Sequence, residues 1–256
     1  MQIDRAIGLT RSLVLYHAIP WRQRRLRRLY GRFVGPGDLV FDVGAHVGNR
    51  AHAFAALGCR VVALEPQPDC ARVLRWLLAR EPLATVLEAA VTDHVGRVTL
   101  AVSDRTPTVT TTVEAWRHAR ASEPGFDGVK WNRHIDVEAI TLDRLIAQFG
   151  APAFVKIDVE GAERAVIAGL SAAVPALSFE YLPNALDEVE LVVARLATLG
   201  TYRFNWSPGE TCQLASDNWC DGASLVTGLG QPGTRRRSGD VYARLVDPVF
   251  QVRSAK

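Results

Sequence analysis

The sequence of 256 residues is poor in cysteine, almost free of lysine and without a long apolar run. Its longest uncharged stretch, residues 165–179, contains Gly169 and Pro175 and is shorter than the roughly 20 apolar residues of a membrane-spanning helix. The four cysteines form no C-x-x-C pair, which argues against a zinc ribbon and a disulfide framework. We therefore expect reduced thiols in a cytoplasmic protein. Arg11 interrupts the apolar stretch at the N-terminus, so a secretory signal is not predicted.

Positive charge is concentrated at one end of the chain. Residues 1–38 hold eight arginines and two aspartates, whereas the whole chain has a net charge of only +3. Apolar side chains such as Trp21 and Leu29 recur among these arginines with helical spacing. The segment predicts a helical extension, which either packs on the body or lies on an anionic membrane surface through the stretch from Arg22 to Arg32. No RNA-binding motif accompanies the charges, so a nucleic-acid partner is not expected.

Short apolar runs alternate with helical segments from residue 39 onward. We predict strands at 39–43, 61–64, 85–91, 96–102, 154–158, 176–181, 202–206 and 241–245, and helices at 49–57, 66–80, 143–149, 163–170 and 187–199. This alternation predicts one α/β domain over 39–247, with a mainly parallel sheet that helices cover on both faces. Within it, residues 103–134 break the pattern with a threonine-rich run and predict a lid or insertion. Residues 248–256 are expected to form a tail.

A glycine-containing turn follows the first predicted strand, with Gly44 and Gly48 after the acid Asp42. The turn does not match the dinucleotide fingerprint G-x-G-x-x-G, because His46 and Asn49 stand where that pattern needs glycine. No Gly-Lys-Ser/Thr follows, so a P-loop is excluded as well. An acid at this strand end would repel a pyrophosphate but suits a ligand that carries an ammonium group.

Glu65 ends the second predicted strand, about 20 residues downstream, at the position from which a carboxylate accepts hydrogen bonds from ribose hydroxyls. Together, Asp42 and Glu65 indicate a ligand with a ribose and an amino-acid end but no phosphate. S-adenosylmethionine fits that description. The alternative is that both acids only cap helices.

Four motifs give the chain a resemblance to a known family: FDVGAHVG at 41–48, LEP at 64–66, TLD at 141–143 and VKIDVEGAE at 155–163. In these motifs the chain resembles the FkbM-type methyltransferases, most specifically in the last one. The resemblance implies a class I, Rossmann-like methyltransferase fold with a mainly parallel seven-stranded sheet. It also implies O-methylation with S-adenosylmethionine as the cofactor.

By position, the resemblance implies a set of cofactor-binding residues: Asp42, Gly44, His46, Gly48, Asn49, Glu65, Pro66, Ala90, Val91 and Asp158. Asp42 and the two glycines would line the methionine side, and Glu65 would bind the ribose. Ala90 and Val91 would flank the adenine, and Asp158 would lie near the transferred methyl group. His46 departs from the family pattern, in which asparagine is common at this position.

Methyl transfer to an oxygen requires the acceptor hydroxyl to be aligned with the methyl group and to lose its proton. We predict Asp158, Glu160 and Glu180 as the catalytic carboxylates, with Asp158 as the first candidate for the base. Asp158 and Glu160 are two positions apart at a strand end, so they share one face and raise one another's pKa. His46 and His134 are further candidates. No metal is predicted, because nothing in the spacing sets an octahedral site.

The predicted function is O-methylation of a hydroxyl group on a small molecule, a sugar or glycan, or a natural product. Trp116, Phe126 and Trp131 would supply apolar walls in the lid, and residues 202–210 would close the other side. Two alternatives stay open, namely an N- or C-methyltransferase and a non-catalytic cofactor-binding scaffold. The oligomeric state also stays open, a homodimer included. We expect a cytoplasmic protein that associates with a membrane if its basic helix contacts lipid.

Overall fold

The structure is a computed structural model that describes residues 2–17, 20–121, 126, 128–234 and 237–246. The predicted tail at 248–256 lies outside the described residues. The helices are α1 (Gln2–His17), α2 (Pro20–Tyr30), α3 (Asn49–Ala56), α4 (Pro68–Leu77), α5 (Glu114–Arg120), α6 (Leu142–Phe149), α7 (Glu163–Ala168), α8 (Leu186–Leu199) and α9 (Gly222–Leu229). The strands are β1 (Leu39–Val43), β2 (Arg60–Leu64), β3 (Ala84–Leu87), β4 (Ala90–Val91), β5 (Gly96–Val102), β6 (Arg133–Ile140), β7 (Phe154–Ile157), β8 (Ala176–Tyr181), β9 (Tyr202–Pro208) and β10 (Gly239–Leu245).

Seven strands form the main sheet, in the order β3-β2-β1-β7-β8-β10-β9. The first five are parallel, and β10 runs antiparallel to both β8 and β9. The order reverses between β1 and β7, so the carboxyl ends of these two strands flank the crevice in which ligands bind in sheets of this type. The predicted mainly parallel seven-stranded sheet is confirmed.

Two apolar cores cover the two faces of this sheet. Side chains alternate between the faces with a period of two, so Phe41 and Val40 of β1 belong to different cores. The core that contains Phe41 is built with α6, α7, α8 and α9, and the core that contains Val40 is built with α2, α3 and α4. Helices therefore lie on both faces, as predicted.

The N-terminal segment forms two helices, and Pro20 is the first residue of the second one. In α2, Leu26, Leu29 and Tyr30 are buried against the body, whereas Arg27 and Arg28 are exposed. The ring of Tyr30 packs 4.3 Å, between centroids, from Phe54 of α3. The basic segment thus contributes apolar side chains to one of the two cores.

Two sequence predictions, on the strand at 85–91 and on the insertion at 103–134, were wrong. The strand predicted at 85–91 is divided: β3 belongs to the main sheet, and β4 pairs with β6 in a separate sheet of three strands. Residues 133 and 134 do not belong to an insertion but begin β6, which pairs antiparallel with β5. The segment between β5 and β6 carries α5 and is the connection within this hairpin.

Candidate active site

The carboxyl ends of the central strands open into a cavity of about 890 Å³, its mouth included. We call it the first cavity. Its walls come from the turn after β1, from the ends of β2, β4 and β7, from α1 and from the connection between β5 and β6. Of the predicted cofactor-binding residues, those that line it are Gly44, His46, Asn49, Glu65, Pro66, Ala90, Val91 and Asp158.

The turn after β1 is held against the end of β2. The N–H groups of Gly44 and Ala45 both donate to the carbonyl oxygen of Leu64, at 3.0 and 2.9 Å. Gly44 has a φ of +74°, and a Cβ atom at this position would collide with the backbone oxygen of Asp158. Glycine is therefore required where the β1 turn and the end of β7 approach each other.

Glu65 connects the turn after β1 to the segment that follows β2. One carboxylate oxygen accepts from the N–H of His46 and the other from the N–H of Gln67, both at 2.8 Å. Burial raises the pKa of Glu65 to about 7, although these two hydrogen bonds oppose the rise. Each oxygen keeps a further lone pair, so the carboxylate can still accept hydrogen bonds from a ligand.

A buried lysine connects the strands on either side of the crevice. Lys156 is opposite Asp42 in the β1–β7 register, and its Nζ lies 3.8 Å from Oδ1 of Asp42 and 2.9 Å from Oδ2 of Asp158. Its Nζ also donates to the carbonyl oxygen of Gly44, at 3.4 Å. Burial alone would raise the pKa of Asp158, but the charge of Lys156 lowers it below its usual value.

Asp42 and Gly48 do not lie on the wall of the first cavity. Asp42 is fully buried beneath it, and burial raises its pKa in spite of the neighbouring Lys156. Gly48 packs towards Leu74 with a φ of +79°. The geometry therefore gives these two residues a part in shaping the turn rather than a direct contact with a ligand. His134 is exposed on β6 and lines no cavity described here.

The structure adds two side chains to the wall that the sequence analysis did not single out. Tyr16 of α1 lies edge-on to the ring of His46, at 5.7 Å between centroids. Arg50 of α3 is 3.9 Å from Asp158 and 3.8 Å from Glu210, which in turn is 2.8 Å from Arg22 of α2. These contacts join elements far apart in the chain, so no local pattern predicts them. Lys156 could have been found, because a lysine is unusual within a buried parallel strand.

The three predicted catalytic carboxylates come together. Oxygen atoms of Asp158, Glu160 and Glu180 all lie within 4.8 Å of one another, and we call them the carboxylate triad. Burial and then the charge of Asp158 raise the pKa of Glu160, and burial together with the charge of Glu160 does the same for Glu180. Asp158 is therefore the member that keeps its negative charge. Three carboxylates also form a donor set suited to Mg²⁺ or Ca²⁺, and the absence of a metal stays a prediction.

The fold and the site define a class of enzymes, the class I methyltransferases, which use S-adenosylmethionine. The family model described as the Methyltransferase FkbM domain matches residues 42–199, which is more than half of the chain. The chain therefore belongs to the FkbM methyltransferase family and is an S-adenosylmethionine-dependent methyltransferase.

Solved structures with a similar fold have low sequence identity to this chain. The precorrin-6y C5,15-methyltransferase from Geobacter metallireducens is 13% identical, with 88% of this chain and 87% of that chain covered and a TM-score of 0.44. An O-methyltransferase from Bacillus cereus in complex with SAH is 11% identical, with 95% and 89% covered and a TM-score of 0.42. Scores of this size add nothing to the family assignment. A comparison with curated proteins gives no match.

We predict that Lys156→Met destabilises the fold, because it leaves the buried Asp42 without its ion-pair partner and leaves Asp158 with Arg50 alone. The expected loss in the free energy of unfolding is about 3–5 kcal/mol, as for other broken buried ion pairs. The double variant Asp42→Asn with Lys156→Met should be more stable than Lys156→Met alone, because the buried carboxylate that lost its partner is gone. Urea unfolding measures both differences. Equal stability of the single and double variants would contradict the contact.

A second prediction concerns Glu163, whose carboxylate accepts from the N–H of Val159 at 3.1 Å. Burial raises its pKa from 4.5 to about 7. Between these pH values the folded chain binds a proton that the unfolded chain has lost, so the free energy of unfolding falls as the pH rises. Glu163→Gln should make that fall smaller by about 1–3 kcal/mol.

The measurement is urea unfolding at several pH values from 4.5 to 7.5. Glu65 also has a pKa of about 7, so part of the fall should remain in the variant. The same pH dependence in wild type and Glu163→Gln would show that Glu163 is not protonated in the folded chain.

Proposed function

We propose that the chain transfers the methyl group to a hydroxyl oxygen of a small molecule, a sugar or glycan, or a natural product. The observation that carries this proposal is the carboxylate triad at the edge of the first cavity, with Asp158 held in its charged form by Lys156. A hydroxyl acceptor must give up its proton, and a positioned carboxylate accepts it. A protein that only binds the cofactor has no use for such a group.

The residues of the first cavity fit S-adenosylmethionine. Glu65 at one end would accept hydrogen bonds from the ribose hydroxyls, with Pro66, Ala90 and Val91 beside the adenine. At the other end, Gly44 and Asp158 would face the amino-acid part.

Asn49 and His46 are the remaining predicted cofactor-binding residues on the wall of the first cavity. Among the described residues, the buried Nδ2 of Asn49 has no hydrogen-bond partner, so it is free to donate to a carboxylate of the ligand. His46 lies in the turn after β1, where its backbone N–H donates to Glu65, and it would contact the cofactor from this fixed position.

The cofactor supplies a methyl group already activated as a sulfonium. The acceptor oxygen forms the new C–O bond as the S–C bond breaks, and the electron pair of that bond stays on sulfur. The hydroxyl proton passes to the triad, with Asp158 as its first acceptor. Arg50 and Lys156 hold Asp158 from two sides, so the carboxylate is aligned before the acceptor arrives.

We predict that Asp158→Asn lowers methyl transfer about 100-fold or more, because the base is lost. The assay follows methyl-labelled S-adenosylmethionine with an extract of small hydroxylated compounds, and NMR of the product identifies the methylated atom. Asp217→Asn is the matched control, since Asp217 is exposed and lines neither cavity. A labelled product methylated on nitrogen or carbon would refute O-methylation, and cofactor retention without any transfer would favour the scaffold alternative.

We further propose that the N-terminal helices contact an anionic membrane surface. Half of the large apolar side chains that are exposed in the described residues lie near the N-terminus: Ile3, Ile7, Val14, Leu15 and Trp21. Ile3, Ile7 and Val14 share one stripe of α1 because of their helical spacing. Exposed arginines of α2 lie close by in the chain, and arginine beside apolar side chains is typical of helices in the membrane interface. None of the described helices has the length and apolar character to cross a bilayer.

Sedimentation with phosphatidylcholine vesicles, with and without phosphatidylserine, tests this contact. The wild type should bind only the anionic vesicles, and less at high salt, because the arginines are attracted to the lipid headgroups. The triple variant Ile3→Ser, Ile7→Ser, Trp21→Ser should lose binding. Trp76→Ser, which removes an equally exposed tryptophan elsewhere, should keep it. Equal sedimentation of these two variants would contradict the contact.

A further inference from the structure

A second cavity of about 950 Å³, its mouth included, lies beside the first. It is enclosed by α5, the start of α7, the end of β8 and the start of α8. Its size is within the range of small-molecule sites. The first cavity has no residue in common with it.

Two buried polar groups on its wall have no hydrogen-bond partner among the described residues. They are Nε1 of Trp116, a residue that is 8% exposed, and the hydroxyl of Tyr181, a residue that is 1% exposed. Oε2 of Glu180 is a third such atom. Buried polar atoms in folded proteins nearly always have a partner, because leaving one without destabilises the fold. Two donors and a carboxylate oxygen without partners, on three residues that line this cavity, therefore indicate a polar ligand.

The two cavities meet at the carboxylate triad. Asp158 and Glu160 line the first cavity, and Glu180, with its oxygen within 4.8 Å of theirs, lines the second. The turn between them has φ values of +54° at Glu160 and +95° at Gly161. A Cβ at Gly161 would collide with the indole of Trp116, so glycine lets Trp116 lie against this turn. A molecule in the second cavity can thus contact Glu180, whose carboxylate oxygen lies within 4.8 Å of those of Asp158 and Glu160.

Acidic side chains outnumber basic ones on the wall of the second cavity. The acids on its wall are Glu163, Glu180, Asp187 and Glu188, and the bases are Arg120 and Arg164. An anionic ligand would be repelled by the charged Asp158 where the two cavities meet. The carboxyl groups of Glu163 and Glu180, whose pKa values burial raises, can exchange hydrogen bonds with hydroxyl groups, which can also accept from Trp116 and Tyr181. Trp116 and Phe179 add aromatic surface, against which the apolar face of a ring packs.

We infer that the second cavity holds the methyl acceptor and selects an uncharged, hydroxyl-bearing ring compound over an anionic one. The inference rests on the proposed O-methylation, since it places the acceptor oxygen at the triad opposite the methyl group. It also gives Trp116 and Tyr181 the role of acceptor-binding residues. The predicted lid then contributes to acceptor binding through α5, which carries Trp116 and Arg120.

Saturation-transfer NMR with two matched probes tests the site directly. Methyl β-D-glucopyranoside is uncharged, and methyl β-D-glucuronide carries a carboxylate in place of its CH₂OH group. With S-adenosylhomocysteine present, the glucoside should show transfer from the wild-type protein, and the glucuronide at least about 10-fold less. Absence of transfer to the glucoside, or equal transfer to both probes, would overturn the inference.

Ala119→Trp fills the mouth of the second cavity from the exposed side of α5, and Ala147→Trp places the same side chain on the exposed side of α6. The first variant should lose glucoside binding and at least about 10-fold of methyl transfer to the extract, and the second should keep both. Calorimetry should show unchanged cofactor affinity in the two variants, because neither residue lines the first cavity.

The two proposals fail in different ways. If the wild type transfers no methyl group while glucoside binding still depends on Ala119, O-methylation is refuted, and the second cavity stands as a binding site for an uncharged hydroxyl compound without the role of acceptor site. If Ala119→Trp transfers methyl groups at the wild-type rate, the assignment of the cavity is refuted and O-methylation stands.

Discussion

A buried ammonium group holds the active site together. Lys156 lies between Asp42 on the neighbouring strand and Asp158 at the end of its own, and it also donates to the carbonyl oxygen of Gly44. Asp42 is fully buried, and a carboxylate buried this deeply would cost several kcal/mol without a partner. Together with Arg50, the positive charge of Lys156 also lowers the pKa of Asp158 at the cavity wall, and its Nζ binds the carbonyl oxygen of Gly44 in the turn after β1.

A series of ion pairs connects Lys156 and Asp158 to the N-terminal helices. Asp158 pairs with Arg50, Arg50 pairs with Glu210, and Glu210 pairs with Arg22 of α2. Tyr16 of α1 lies edge-on to His46. The basic segment, which stands apart from the rest of the sequence in charge, is therefore part of the site. The proposed membrane contact would involve the same helix, α1, that lines the first cavity through Tyr16.

Local patterns predicted the central part of the fold well, because β1, β7 and β8 are short apolar runs of the kind that form buried parallel strands. They did not predict β6, although its exposed Asp136 and Glu138 alternate with apolar residues as in a half-exposed strand, because it follows an irregular segment and its partner β5 lies beyond a long connection. Nor did they predict α9 within its glycine-rich segment, an element whose helical form depends on packing against α8 and β9. Glu65 and the triad could be located because strand ends meet at one edge of a sheet. Arg50 and Tyr16 could not, because only the tertiary fold brings them there.

A crystal structure of the chain grown with S-adenosylhomocysteine tests the central claim most directly. The account predicts the ribose hydroxyls within hydrogen-bond distance of Glu65, the adenine beside Ala90 and Val91, and the sulfur facing Asp158. The second cavity should remain open next to that sulfur. A ligand bound elsewhere with the first cavity empty, or one whose ribose points away from Glu65, would contradict it.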